Sequence, residues 1–210
     1  MKTPRRTHRK AGNGLMAAGT ILLSLALLLT GYNIWDDHRA SKVMAGVLSE
    51  LKDQTPLPGD PENALDPDME MPTEESDGRE YIGVLEIPAL DLSLPVLSEW
   101  SMEGLRNAPC RYAGTAYKSG FVIAGHNYQS HFFGLKNLCV GEEIDFTDVT
   151  GNVFRYKVTA SETLDPKEVE RMIDETWDLS LFTCTYSGSA RYTVRCMSID
   201  TGESGYGKRD

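Results

Sequence analysis

Leu181-Phe182-Thr183-Cys184-Thr185-Tyr186-Ser187-Gly188-Ser189-Ala190-Arg191 carries an apolar run to a cysteine and then breaks it with turn formers. The run starts at Leu179 and delivers Thr183 and Cys184 to a strand end; Ser187, Gly188 and Ser189 mark the turn. From Arg191 a second, alternating run places Tyr192, Val194 and Cys196 on one face and Arg191, Thr193 and Arg195 on the other. The stretch therefore predicts a β-hairpin with a cysteine on its outgoing strand and arginines on the returning one. Its register is open. A Ser187-Gly188 turn sets Cys184 opposite Arg191, with Cβ atoms about 5 Å apart. A Gly188-Ser189 turn sets Cys184 opposite Thr193, with Arg191 diagonal to it at roughly 7–8 Å. Either way Arg191 shares the cysteine's face, where a guanidinium favours a thiolate and would meet an oxyanion formed on it.

Outward from the hairpin, other short apolar runs predict strands at Tyr81–Ile87, Leu92–Leu97, Phe121–Ala124, 142–147 and 152–160, the last two joined around Thr150-Gly151. Short helices are expected after Ser101, over Phe132–Leu138 and over Pro166–Met172. Many short strands, few helices and no βαβ rhythm predict a mainly all-β domain over 81–200, closed or nearly closed into a barrel. The last residues, 201–210, read as a tail.

The N-terminal end is different. Lys2, Arg5, Arg6, Arg9 and Lys10 precede an uncharged apolar run from Leu15 to Trp35, and about 20 such residues suffice to cross a bilayer as a helix. Residues 1–14 are expected in the cytoplasm, 15–35 in the membrane as a single-pass signal anchor, and the remainder outside. A cleaved secretory signal is the competing reading. A juxtamembrane helix is expected over 36–54, with Val43, Val47 and Leu51 as its apolar stripe. Residues 55–80, rich in proline and acid, read as an extended linker. Removing the five N-terminal cations from the 21 basic residues leaves 16 against 31 acidic ones, which excludes bulk attraction to nucleic acid.

Four cysteines, Cys110, Cys139, Cys184 and Cys196, are few for a disulfide scaffold, and no disulfide is expected; Cys110 with Cys139 is the least unfavourable pair. Cys196 reads as a small core residue. No cofactor and no metal site are expected, and the acids Glu142, Glu143 and Asp145 read as a solvated hairpin. A nucleophilic cysteine needs a proton-transfer partner, and only His126 and His131 lie within the domain. His126 follows a buried strand directly, with Gly125 there to let the chain turn; His131 sits in a polar loop and reads as solvated.

Ser180-Leu181-Phe182-Thr183-Cys184 resembles the Thr-Leu-x-Thr-Cys signature of the sortases, cysteine transpeptidases of Gram-positive-type cell surfaces, with Ser180 in place of the first threonine. Ala124-Gly125-His126-Asn127, followed by Phe133, Leu135, Leu138 and Gly141, is similar to that family's histidine segment, and Tyr81-Ile82-Gly83, Ile87-Pro88 and Leu94-Pro95-Val96 to its opening strands. Asp66-Pro67 resembles the lid of pilin-assembling sortases, although Asp68 stands where their aromatic residue would be.

The resemblance implies a sortase-like closed barrel and a reaction in two steps. The cysteine attacks the threonine carbonyl of a Leu-Pro-x-Thr-Gly-like sorting motif on a secreted protein. An amine from a cell-wall precursor or a pilin lysine then resolves the thioacyl-enzyme. It implies Cys184 as nucleophile, His126 as general acid and base, and Arg191 as the group on the oxyanion or substrate. Thr183 and Asn127, their immediate neighbours, are the candidate substrate-binding residues. Arg195 is the rival arginine on the same face, about 13 Å further along, and Arg195→Ala is expected to leave most of the activity. A hydrolysing cysteine peptidase and a non-catalytic extracellular binding domain are the alternative functions.

Overall fold

In the computed structural model the described residues are 6–56, 66–185 and 187–199, with backbone alone for 6–11. The middle of the expected linker, 57–65, and the tail, 201–210, lie outside them. The chain divides into two compact units, one ending at Arg39 and one beginning at Ala40.

The first unit is helical. A single α-helix, α1, runs Arg6–Gln54, so the expected membrane span and juxtamembrane helix form one continuous element: no proline interrupts the stretch. From Gly12 to Trp35 every side chain is exposed, Leu22 and Leu28 at 67% and 70% among them. A helix apolar all round with nothing packed on it is suited to lipid rather than water. Its threonine hydroxyls are satisfied internally, Thr20 donating to the Met16 carbonyl and Thr30 to that of Ala26. The helix is long and apolar enough to cross a membrane.

The second unit is a β-barrel. Its strands are β1 (Glu74–Ser76), β2 (Arg79–Ile87), β3 (Leu92–Leu97), β4 (Cys110–Ala113), β5 (Phe121–Ala124), β6 (Glu143–Asp148), β7 (Val153–Leu164), β8 (Leu179–Cys184) and β9 (Arg191–Ser198), with a short helix α2 (Val169–Met172) between β7 and β8. The sheet order is β1-β2-β3-β4-β5-β8-β9-β7-β6, and β6 returns to pair with β2, closing eight strands into a ring. Closure is tight at Gly83, opposite Asp148 at φ +154°, where a Cβ would lie 2.1 Å from the Thr147 carbonyl oxygen; only glycine fits there.

Two elements differ from the sequence reading. The domain begins before Tyr81. Met71 is buried in the core, and β1 pairs with β2 through a two-residue Asp77-Gly78 turn with φ of 49° and 69° at its two residues. Likewise the segment after Ala40 is no free stalk. Met44, Val47 and Leu51 are buried in the main hydrophobic cluster, and Lys52 donates to Glu86 of β2 at 3.0 Å.

The core has two layers. The large cluster takes in the barrel interior, with Leu85, Phe121, Ile123, Phe146, Leu179, Leu181 and Val194, and extends to Met44, Val47 and Leu51 of α1. Outside the sheet, Val122, Ala124 and Phe182 meet Leu164 and Met172 in a second, small cluster beneath the β7–β8 connection.

Candidate active site

Alternation along β8 sorts its side chains between these layers. Leu179 and Leu181 belong to the interior cluster, Phe182 to the outer one, and Cys184, on the outer face, is exposed. Cys184 pairs directly with Arg191, which settles the hairpin register in favour of the closer arrangement. The loop is longer than the two-residue turn expected. The Thr185 N–H donates to the Ala190 carbonyl at 2.9 Å, and the Thr185 carbonyl accepts from the Gly188 N–H at 2.8 Å. Gly188 takes φ +71°, a left-handed conformation that glycine adopts without strain. Arg191 Nη1 donates to the Gly188 and Ala190 carbonyls, each at 3.2 Å, which ties its guanidinium to the base of the loop.

On the other side of β8 runs β5, parallel to it. Ala124 pairs with Phe182, and the Gly125 N–H donates to the Phe182 carbonyl at 3.0 Å. His126 lies two residues past the end of β5, and Cys184 ends β8. Because the two strands run parallel, both residues leave the sheet at the same rim, and Arg191 pairs with Cys184 from β9, so the three belong to one row of neighbouring elements. Gly125 is needed for a reason other than the sharp turn expected of it: its φ is ordinary, but a Cβ would stand 2.3 Å from Cδ2 of Phe132, whose ring closes over it.

Beyond the strand the chain folds back, the Phe132 N–H donating to the His126 carbonyl at 3.2 Å and the Phe133 N–H to the Tyr128 carbonyl at 3.1 Å. That fold removes His131 from solvent: it is 0% exposed, contrary to its polar sequence surroundings. Its ring meets that of Tyr128 edge-on, and the Tyr128 ring stacks on His126. Tyr128 is the contact that the sequence reading missed; its only signal was an aromatic residue two places after the histidine.

The remaining candidates separate by burial. Asn127 is half-buried beside His126. Thr183 is 4% exposed, pairs with Tyr192 and points to the face opposite Cys184, with its Oγ1 buried and without a hydrogen-bond partner. Its side chain is therefore turned away from any substrate at the sulfur. Arg195 is 1% exposed. It donates to Glu162 Oε1 at 2.9 Å, Ser180 Oγ at 2.8 Å and the Met172 carbonyl at 3.0 Å, and also to the Arg171 carbonyl. This guanidinium is a buried tie between β9 and the β7–β8 connection, turned to structural partners.

All four cysteines are free. Burial pushes the Cys110 thiol up to about 11 and the Cys196 thiol up to about 12, so both are inert neutral groups, whereas Cys184 and Cys139 are exposed. Among the described residues, no group of three or more His, Cys, Asp or Glu side chains is placed to hold a metal ion.

The sortase domain family matches residues 85–199, a stretch that contains the whole row. This chain belongs to the sortase family. It is 29% identical over 137 residues to Sortase A of Bacillus anthracis, an alignment spanning 61% of this chain and 65%, just under two thirds, of that protein. Among solved structures, the fold resembles Sortase A from Corynebacterium diphtheriae at TM-score 0.54 and 21% identity, covering 78% of this chain and 86% of that one. It also resembles a Clostridium perfringens Sortase D5 transpeptidase at TM-score 0.52 and 23% identity, covering 60% and 82% of the two chains. A pilus-related Sortase C of Group B Streptococcus matches at TM-score 0.52 and 22% identity, over 58% and 68%. At such identities the structural matches speak for the sortase fold, and the chemistry rests on this chain's own residues.

Proposed function

We propose that this sortase is a membrane-anchored cysteine transpeptidase that cleaves a Leu-Pro-x-Thr-Gly-like sorting motif on secreted proteins and transfers them to an amine. The observation that supports the reading is the exposed Cys184 thiol at the end of β8, paired with Arg191 of β9 and flanked by the parallel β5, which His126 follows. The Cys184 thiol passes its proton to His126, its sulfur attacks the threonine carbonyl, and the oxyanion of the tetrahedral intermediate is met by the Arg191 guanidinium. Collapse breaks the threonine–glycine bond, and the imidazolium of His126 protonates the departing amine. An amine of a peptidoglycan precursor or pilin lysine then attacks the thioester. His126 takes its proton, and the sulfur leaves as the new amide forms. The exposed Trp100, edge-on to Tyr112, which in turn meets Phe182 of the sulfur-bearing strand edge-on, offers the motif an apolar contact.

The basic N-terminus and the exposed apolar span support a single-pass anchor with the catalytic domain outside the cell. The test incubates the full-length protein in detergent with a Leu-Pro-Glu-Thr-Gly peptide, with and without added diglycine or another amine. Amide product that requires the added amine is expected. Only carboxylic acid in both reactions would point to a hydrolytic peptidase. Cys184→Ala, His126→Ala and Arg191→Ala are each expected to abolish or nearly abolish transfer, and a fully active Arg191→Ala protein would remove that residue from the mechanism.

A further inference from the structure

The backbone around His126 is pinned by the loop's own hydrogen bonds, from the Phe132 N–H to the His126 carbonyl and from the His131 and Phe133 N–H groups to the Tyr128 carbonyl, at 3.1–3.2 Å. The imidazole's own rotation is a further freedom: the last torsion of a histidine is broad and roughly two-fold, so packing against the ring bears on it. The Tyr128 ring supplies that packing. It lies on the His126 ring with centroids 3.7 Å apart and planes 26° from parallel. The tyrosine is itself backed by a fully buried residue: the His131 ring meets it at 5.2 Å and 67°. The series runs from a buried imidazole through a phenol ring to the half-buried imidazole beside the reacting strand.

We propose that Tyr128 is a positioning residue for acyl transfer, its ring holding the plane of the His126 imidazole so that one ring nitrogen stays directed at the Cys184 sulfur and the leaving amine. The proposal rests on the assignment of His126 as general acid and base. Both transfers need that nitrogen in the same place, once to give a proton and once to take one. A displacement of about 1 Å in such a group costs up to about 100-fold in rate. A ring that merely fills space would leave turnover alone and change only stability.

The test uses the full-length chain in detergent with a fluorogenic Leu-Pro-Glu-Thr-Gly peptide and diglycine. Tyr128→Phe keeps the ring and is expected to retain kcat. Tyr128→Leu keeps apolar bulk without the ring, and its kcat is expected to fall about tenfold or more, with KM for the peptide unchanged. Unchanged kcat in Tyr128→Leu, a loss confined to KM, or an equal loss in Tyr128→Phe overturns the proposal. His126→Ala, run alongside, separates two failures. If it is active, the underlying reading falls; if it is inactive beside a fully active Tyr128→Leu, only the role of Tyr128 falls. A nuclear Overhauser contact between the Tyr128 and His126 ring protons is expected in the unaltered chain and needs neither variant nor peptide; its absence overturns the stack itself.

Discussion

Arg191 and Arg195 share a strand face four residues apart, and their surroundings give them different work. The Arg195 guanidinium is buried among Glu162, Ser180 and two main-chain carbonyls, and its removal strands acceptors with no water to replace it. Arg195→Ala is expected to cost about 3 kcal/mol or more of unfolding free energy, read from urea denaturation, and Arg195→Lys, lacking the planar fork, to recover little of it. A stable Arg195→Ala protein would show those bonds to be dispensable. Thr183 makes the opposite case. Its buried, unpartnered hydroxyl carries a desolvation cost, so Thr183→Val is expected to raise stability by about 1 kcal/mol, measured as a higher denaturation midpoint at unchanged slope. Cys184, His126 and Arg191 could be singled out in the sequence as candidates because each stands at or just past a strand end among turn formers. Burial was not legible there. Nothing local marks Arg195 as enclosed and Arg191 as not, and the polar neighbours Gln129 and Ser130 hid the enclosure of His131.

At the scale of elements, apolar runs were readable and mixed or acidic ones were not. β2, β3, β5, β8 and β9 lie where their apolar patterns put them, give or take an end residue. β4 has only four residues, with a pairing irregularity after Arg111, and carries no usable period. β1 was concealed inside an acidic stretch, although Asp77-Gly78 is itself a hairpin signal. The adjacency of β5 and β8 was beyond reach, since more than fifty residues separate them and only closure of the ring makes them neighbours. The contact of Phe132 with Gly125 gives this pairing a test. Gly125→Ala forces a methyl into the ring, at a cost of about 1–3 kcal/mol. Because Gly125 immediately precedes His126, turnover is expected to fall further than the shift in melting temperature alone would explain.

For the molecule as a whole, the last turns of α1 belong to the catalytic domain. A chain starting at Ala40 keeps Met44, Val47 and Leu51 in the core, whereas one starting at Thr55 loses all three. At about 1.5–3 kcal/mol for each buried side chain, the shorter chain is expected to be destabilised by several kcal/mol and to melt well below the longer one. Alkaline pH probes the interior. Tyr81 is pushed up to about 12 by burial, as Cys196 is to about 12 and Cys110 to about 11. Below about pH 7.5 these groups are protonated in folded and unfolded chains alike. Above it the unfolded chain sheds protons that the folded one retains, so stability falls as pH climbs from about 7.5 towards 12. Unfolding midpoints that stay level across that range would place the thiols nearer water.

β5 and β8 run in the same direction, side by side. Because of that, the imidazole and the sulfur leave the sheet at one rim, carried on strands that share hydrogen bonds up to the Gly125 amide. Exchanging the β7–β8 connection for one of another length is therefore expected to leave the intrinsic reactivity of the thiol, measured with a small alkylating agent, where it was.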